Sequence, residues 1–218
     1  MDRKKDIIKI LNSMSGRYST YEVFSDWICC SALAVSNACQ MIHDRIWQDR
    51  EQEYINIIKK YVPEEQSRFV EMLSLLVETL GDGPEDVLGQ IYMDAGMGSS
   101  ATGRFFTPWH LSVMCAELAA AEPGPDGYYK VQEPSCGAGG MIIAMACALE
   151  RKGIDYQRCM KVVAQDLDWK SVYMCYLQLS LLGIRAVVVQ GNTLAEPYIR
   201  GYPDWRVMYT PGERGLLM

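Results

Sequence analysis

The residues best suited to chemistry lie in Val131-Gln132-Glu133-Pro134-Ser135-Cys136-Gly137-Ala138-Gly139-Gly140-Met141, where an apolar strand enters a glycine-rich turn and the turn opens a helix. Glycines at 137, 139 and 140 leave no Cβ to hold a ligand off the backbone. The free N–H groups of the first helical turn, at the positive end of the helix dipole, suit a polar cofactor. Alone, such a turn reads more simply as a tight connection that holds nothing. Its company shifts the balance. Asp166, at the end of a second apolar stretch, stands 27 residues beyond Gly139, where a carboxylate can accept from ribose hydroxyls. Asn192 ends a third stretch and can hold an adenine amino group. Each has a plainer reading: an N-cap, for which Asp168 is better suited than Asp166, and the turn residue of Gly191-Asn192-Thr193. Taken together, in order and at strand ends, they point to an adenosine-containing ligand.

The elements that must position these residues alternate. Strands are predicted at 129–133, 161–165, 185–190 and 205–209, with helices at 141–151 and 169–182. That pattern argues for an open α/β sheet of about four parallel strands, with ligands bound beyond the carboxyl ends. Residues 1–95 read instead as a helical domain, with helices at 20–46, 63–80 and 85–95 and a charged segment with one apolar face at 44–60, and residues 96–218 as the sheet domain. Between them, 96–103 is a small-residue linker leading to Arg104-Phe105-Phe106-Thr107-Pro108. Thr107 suits an N-cap and Pro108 the first turn of a helix over 108–121. The two phenylalanines are either a hydrophobic staple or one wall of a cofactor pocket. His43, with no second ligand type nearby, is a surface or capping residue.

The totals narrow the class. A chain of 218 residues with 49% hydrophobic and 22% charged residues can bury a real core. No apolar run reaches the length of a membrane span, and Met1-Asp2-Arg3-Lys4-Lys5-Asp6 lacks a signal-peptide core. The eight cysteines show no paired metal spacing and read as reduced, mostly buried thiols of a cytoplasmic protein, with no metal site. A net charge of -6 argues against a self-sufficient nucleic-acid binder, so any grip on DNA would come through a partner.

Three pieces of the chain resemble the N6-adenine DNA methyltransferases, and within them the modification subunits of type I restriction systems. Asp86-Val87-Leu88-Gly89-Gln90-Ile91-Tyr92 is similar to the helix preceding their cofactor lid. Gly103-Arg104-Phe105-Phe106-Thr107-Pro108 is similar to their Phe-Thr-Pro motif, and Glu133-Pro134-Ser135-Cys136-Gly137-Ala138-Gly139-Gly140 to their glycine-rich motif. The likeness spans about 84–195. It implies a Rossmann-like fold that binds S-adenosylmethionine, with Phe105, Phe106, Thr107 and Pro108 against the methionine part. It also places Glu133, Pro134, Cys136, Gly137 and Gly139 at the turn, Asp166 and Leu167 at the ribose, and Asn192, where the family usually has Asp, at the adenine.

The departure is equally specific. The family's fourth strand ends in Asn/Asp-Pro-Pro-Tyr/Phe, which holds the adenine amino group and stacks on the flipped base. Here Tyr209-Thr210-Pro211-Gly212 stands at that place, a degenerate motif that leaves the catalytic residues unassigned. The fourth strand is also expected to be a hydrophobic sheet edge, through Val207, Met208 and Tyr209. Such an edge must be covered or paired, by a homodimer or by a partner chain, unless the sequence is one piece of a split methylase. Two functional readings follow: a cofactor-binding methylase that modifies adenine in DNA with a partner, and a catalytically inactive binding or assembly module. A third, another Rossmann nucleotide enzyme, lacks its Gly-x-Gly-x-x-Gly fingerprint.

Overall fold

The computed structural model describes residues 2–98, 106–198 and 202–216. Five helices come first: α1 (Arg3–Met14), α2 (Thr20–Ala38), α3 (Arg45–Ile58), α4 (Pro63–Gly81) and α5 (Val87–Asp94). Their starts are written in the sequence. Ser19 and Glu22 form a reciprocal capping box on α2, Asp44 caps α3 through the Trp47 N–H, and Pro63 occupies the first turn of α4. The helix predicted over 20–46 therefore ends early. Asp44 starts a new helix instead, and Asn37 ties the corner by donating to the Trp47 carbonyl and the Glu51 carboxylate. His43 stacks on Trp47 with ring centroids 4.0 Å apart, a surface role as expected.

Then follow α6 (Trp109–Ala119), β1 (Tyr129–Glu133), α7 (Gly140–Arg151), the single turn α8 (Tyr156–Cys159), β2 (Met160–Asp166), α9 (Trp169–Leu181), β3 (Arg185–Gln190) and β4 (Val207–Tyr209). Pro108, not Thr107, is the N-cap of α6. The sheet order is β1-β2-β3-β4. β1, β2 and β3 run parallel, with Tyr129 opposite Met160 and Val162 opposite Ala186.

The fourth strand departs from the parallel pattern. β4 is antiparallel to β3, with Val188 opposite Met208. A parallel return needs a crossover of a dozen or more residues, usually a helix that packs on the sheet. Pro197 and Pro203 disfavour a helix around them, and only a 3-10 turn, Asp204–Arg206, precedes the strand among the described residues. The edge expected to be hydrophobic and open is also closed. Val207 and Met208 are buried, and the carbonyls of Val207 and Tyr209 accept from Arg50 Nη2 (2.9 Å) and Arg214 Nε (3.4 Å).

One face of the sheet carries Met160, Val162, Ala164, Ala186 and Val188, buried beneath α7 and α9. That core is continuous with the helical region, since Ile7, Trp27, Leu76, Leu88 and Tyr92 belong to the same hydrophobic cluster. On the other face, a groove of about 490 Å³ is lined by strand residues including Lys130, Val163 and Val187, together with Tyr198 and Glu213. Beyond β1 no strand pairs among the described residues, and α6, packed on α7, leaves Leu111, Met114 and Leu118 exposed. Among the described residues no helix is long and apolar enough to cross a membrane.

Candidate functional site

The carboxyl end of β1 runs into the glycine turn, and the turn is built by backbone geometry. Gly137 (φ 52°) and Gly139 (φ 93°) adopt left-handed conformations that L side chains rarely take. The Cys136 N–H bonds the Gln165 carbonyl at the end of β2 (3.0 Å), and the Gly139 N–H bonds back to the Cys136 carbonyl (2.7 Å). Asp166 completes the clamp. Its Oδ2 accepts the Gly137 N–H (2.9 Å) and its Oδ1 the Asp168 N–H (3.0 Å), so the acid predicted to meet a ribose also fixes the turn. Asp168 is the N-cap of α9, accepting from the Ser171 N–H.

A cavity of about 370 Å³ opens over this turn. Phe106, Thr107, Glu133, Cys136, Gly137 and Asp166 line it, six of the residues singled out from the sequence. Phe106 lies directly on the turn: a Cβ built on Gly137 would fall 2.9 Å from its ring, and the ring meets Tyr92 edge-on at 5.1 Å. The Phe-Thr-Pro stretch and the glycine turn, far apart in sequence, thus form two walls of one space. Cys136 is buried there. A hydrogen bond with Cys175, and then burial, hold its thiol well above the usual range, so it is a packed neutral thiol and no nucleophile.

Other expected residues lie elsewhere. Asn192 does not line the cavity; its Oδ1 accepts from the Leu194 and Ala195 N–H groups, which makes it the turn residue of its own loop. Leu167 is exposed beside the cavity rather than in its lining. Pro134 presents its carbonyl to the Thr193 hydroxyl (2.6 Å), tying the loops after β1 and β3 together. Gly139 stands behind the wall against Cys175, and Pro108 begins α6. Phe105 lies outside the described residues.

The cavity also contains Ser171, and Asp86, Ser135, Ala138 and Met141, which the sequence reading quoted within its motifs but gave no ligand role. Asp86 is the N-cap of α5, and its Oδ1 accepts from the Gly89 N–H and from Gln178 Nε2 (both 2.9 Å). The available signal was an acid three residues before a glycine at a helix start. Read alone, that pattern is an ordinary cap. Burial raises the Asp86 pKa, against the opposing effect of the Gln178 and Gly89 hydrogen bonds.

Tyr209-Thr210-Pro211-Gly212 is not part of this site. Because β4 runs antiparallel to β3, its carboxyl end lies beside the start of β3, at the end of the sheet opposite the cavity. Thr210 is fully buried, its hydroxyl engaged by the Ala186 N–H and the Ile184 carbonyl, and Pro211 and Gly212 are buried behind it. Among the described residues, no group of three or more His, Cys, Asp or Glu could hold a metal ion.

Comparison with known proteins places this geometry. The family model described as N-6 DNA Methylase matches residues 78–209, which takes in the glycine turn, Phe106, Thr107 and Asp166. A solved type I restriction-modification system methyltransferase subunit from Streptococcus thermophilus is similar at 13% identity and a TM-score of 0.45. That match covers 92% of this chain and 60% of the other, so the chain spans about three fifths of the length of that subunit. No curated protein matches.

Proposed function

Since the chain belongs to the N-6 DNA methylase family, we propose that it binds S-adenosylmethionine in the cavity over the glycine turn and serves methylation of adenine in DNA together with a partner. One observation carries the reading: the Phe-Thr-Pro segment, the glycine turn and Asp166 close around a single space at the carboxyl end of parallel strands. The lining fits the ligand's chemistry. Phe106 offers an apolar wall, Glu133 and Asp166 offer carboxylate acceptors, and the turn presents backbone N–H groups at the start of α7. The bound cofactor would supply the activated methyl group. This chain's residues would hold and orient it, with Asp166 keeping the turn in shape and sharing its remaining lone pairs with the ribose. Pro108, Pro134 and Gly139 would support these walls, and Leu167 would lie over the ribose end.

The acceptor side belongs to the partner in this reading. Tyr209 to Gly212 lie at the far end of the sheet, so in this reading the groups that hold an adenine come from outside these residues, and a partner is the proposed source. The open side of β1, flanked by Leu111, Met114 and Leu118 of α6 and by the groove over Val163 and Val187, is the place for it. Parallel sheets are ordinarily covered on both faces, and a second copy of this chain joined at β1 would bring a face just as bare. A strand-and-helix unit from a different polypeptide fits better than a homodimer. Residues 1–95 act as a helical cap sharing the core, and the protein works in the cytoplasm. A second reading, a cofactor-responsive assembly module without methyl transfer, is favoured by the packed state of Thr210 and its neighbours.

Calorimetric titration with S-adenosylmethionine, S-adenosylhomocysteine and NAD tests the first part. Micromolar binding of the first two and none of NAD is expected; absence of heat with all three removes the cofactor reading. A radiolabelled methyl donor with duplex DNA tests the second. Transfer by the isolated chain would overturn the assignment of the acceptor groups to a partner.

A further inference from the structure

The cavity holds one group whose electrostatics are incomplete. Asp86 is 3% exposed, yet no lysine or arginine among the described residues is ion-paired with it. Lys4, the cation closest in influence, pairs with Glu85 at 2.6 Å and donates to Gln90. Oδ1 is fully used by Gly89 and Gln178. Gln178 is fixed in that role, because Nε2 also donates to the Ala138 carbonyl (2.8 Å) and Oε1 accepts the Leu88 N–H (2.9 Å). Oδ2 accepts no hydrogen bond from the described residues. It sits where a Cβ on Gly140 would fall 2.8 Å away and one on Gly89 2.2 Å away, so both glycines make room for this oxygen. The other acids of the cavity are only partly buried, so water can serve them, with Asp166 also accepting two N–H groups and Glu133 the Ser135 N–H.

An ionised carboxylate taken out of water without a counter-charge is costly, by several kcal/mol as a general matter, and proteins keep such groups where a partner arrives later. We propose that Asp86 binds the α-ammonium group of the cofactor's methionine part, through the oxygen that the protein leaves unpaired beneath the glycine turn. Charge and donor count select the ammonium over the ligand's other groups. A ribose hydroxyl could satisfy the hydrogen bond but not the charge, and a sulfonium brings charge without an N–H or O–H donor. The raised pKa of the acid in the ligand-free protein fits a site whose cation comes with the ligand. This inference rests on the cofactor reading above and adds the residue that selects an amino-acid-bearing nucleoside over a bare one.

The test uses two ligands and two proteins. The full chain is titrated with S-adenosylhomocysteine and with its deaminated analogue, in which hydrogen replaces the amino group, and the pair is repeated with Asp86→Asn. Wild type is expected to prefer the amino form by about 30-fold or more, as for other charged hydrogen-bonded pairs. The variant, whose amide keeps the Gly89 bond, loses that preference while binding the deaminated analogue as wild type does. Equal affinity of wild type for both ligands overturns the proposal, as does an undiminished preference in Asp86→Asn. If the variant fails to fold, the wild-type comparison still decides. Wild-type binding of neither ligand is a different result, one that removes the cofactor reading itself.

Discussion

β1 and β4 are the two outer strands of one sheet, and they end in opposite conditions. After β1 the chain opens: two left-handed glycines, a cavity, a buried acid with a free oxygen, and no strand alongside among the described residues. After β4 everything is closed. Thr210 has both hydrogen-bonding partners, Pro211 and Gly212 are buried, and guanidinium groups cap the Val207 and Tyr209 carbonyls. Left-handed backbone and a buried acid facing a cavity mark a binding site, whereas a strand end packed against its neighbours marks scaffold. By that measure the first region is built to hold something, and the second to hold the fold.

The sharpest way to break the contrast is at the turn. Gly139→Asp forces a side chain into a left-handed position whose Cβ would meet Cys175 Sγ at 3.2 Å. Cofactor binding should vanish in calorimetry, and the melting temperature should fall. Asp166→Ala comes next. Removing the carboxylate frees the Gly137 and Asp168 N–H groups, and cofactor affinity should drop about 100-fold while the fold persists by circular dichroism. At the closed edge the signature reverses. Arg50→Met strands the Val207 carbonyl and should cost about 1–3 kcal/mol in chemical denaturation without moving cofactor affinity. A change in affinity there would mean that the two regions are coupled.

The smallest effect concerns pH. The folded-state pKa of Asp86 is raised from 3.8, so below that value both folded and unfolded chains carry the proton and burial costs nothing. As pH rises, the unfolded chain ionises first, and the penalty grows until the folded-state pKa is passed. Thermal melts of the ligand-free protein should show Asp86→Asn gaining on wild type from about pH 4 upward, and matching it below.

Much of this was legible in the sequence, for local reasons. Glycine spacing at 137 and 139, the apolar runs of the three parallel strands, and the cap at Asp168 act over a few residues, and each stands as read. Phe106 and Thr107 were also placed at the site by motif, and they line it. What the sequence did not reveal depends on distant contacts. Nothing near 207–209 announces that the strand runs antiparallel, because its direction is set by a proline-interrupted connection and by Arg50, about 157 residues earlier in the chain. Asp86 was read only as part of the stretch preceding the cofactor lid, because its second oxygen matters only once Gly140 is folded above it. Asn192 was read for its chemistry, but its own loop consumes its oxygen.

The arginine caps on β4 also set a limit on growth. A sheet with two free edges can add copies of itself at both and run on as a fibre, since each addition presents a new edge like the last. With Arg50 and Arg214 occupying one side, this sheet has a single direction in which to extend. In the proposed reading one strand-bearing partner on β1 would fill it, and assembly would stop at a defined complex.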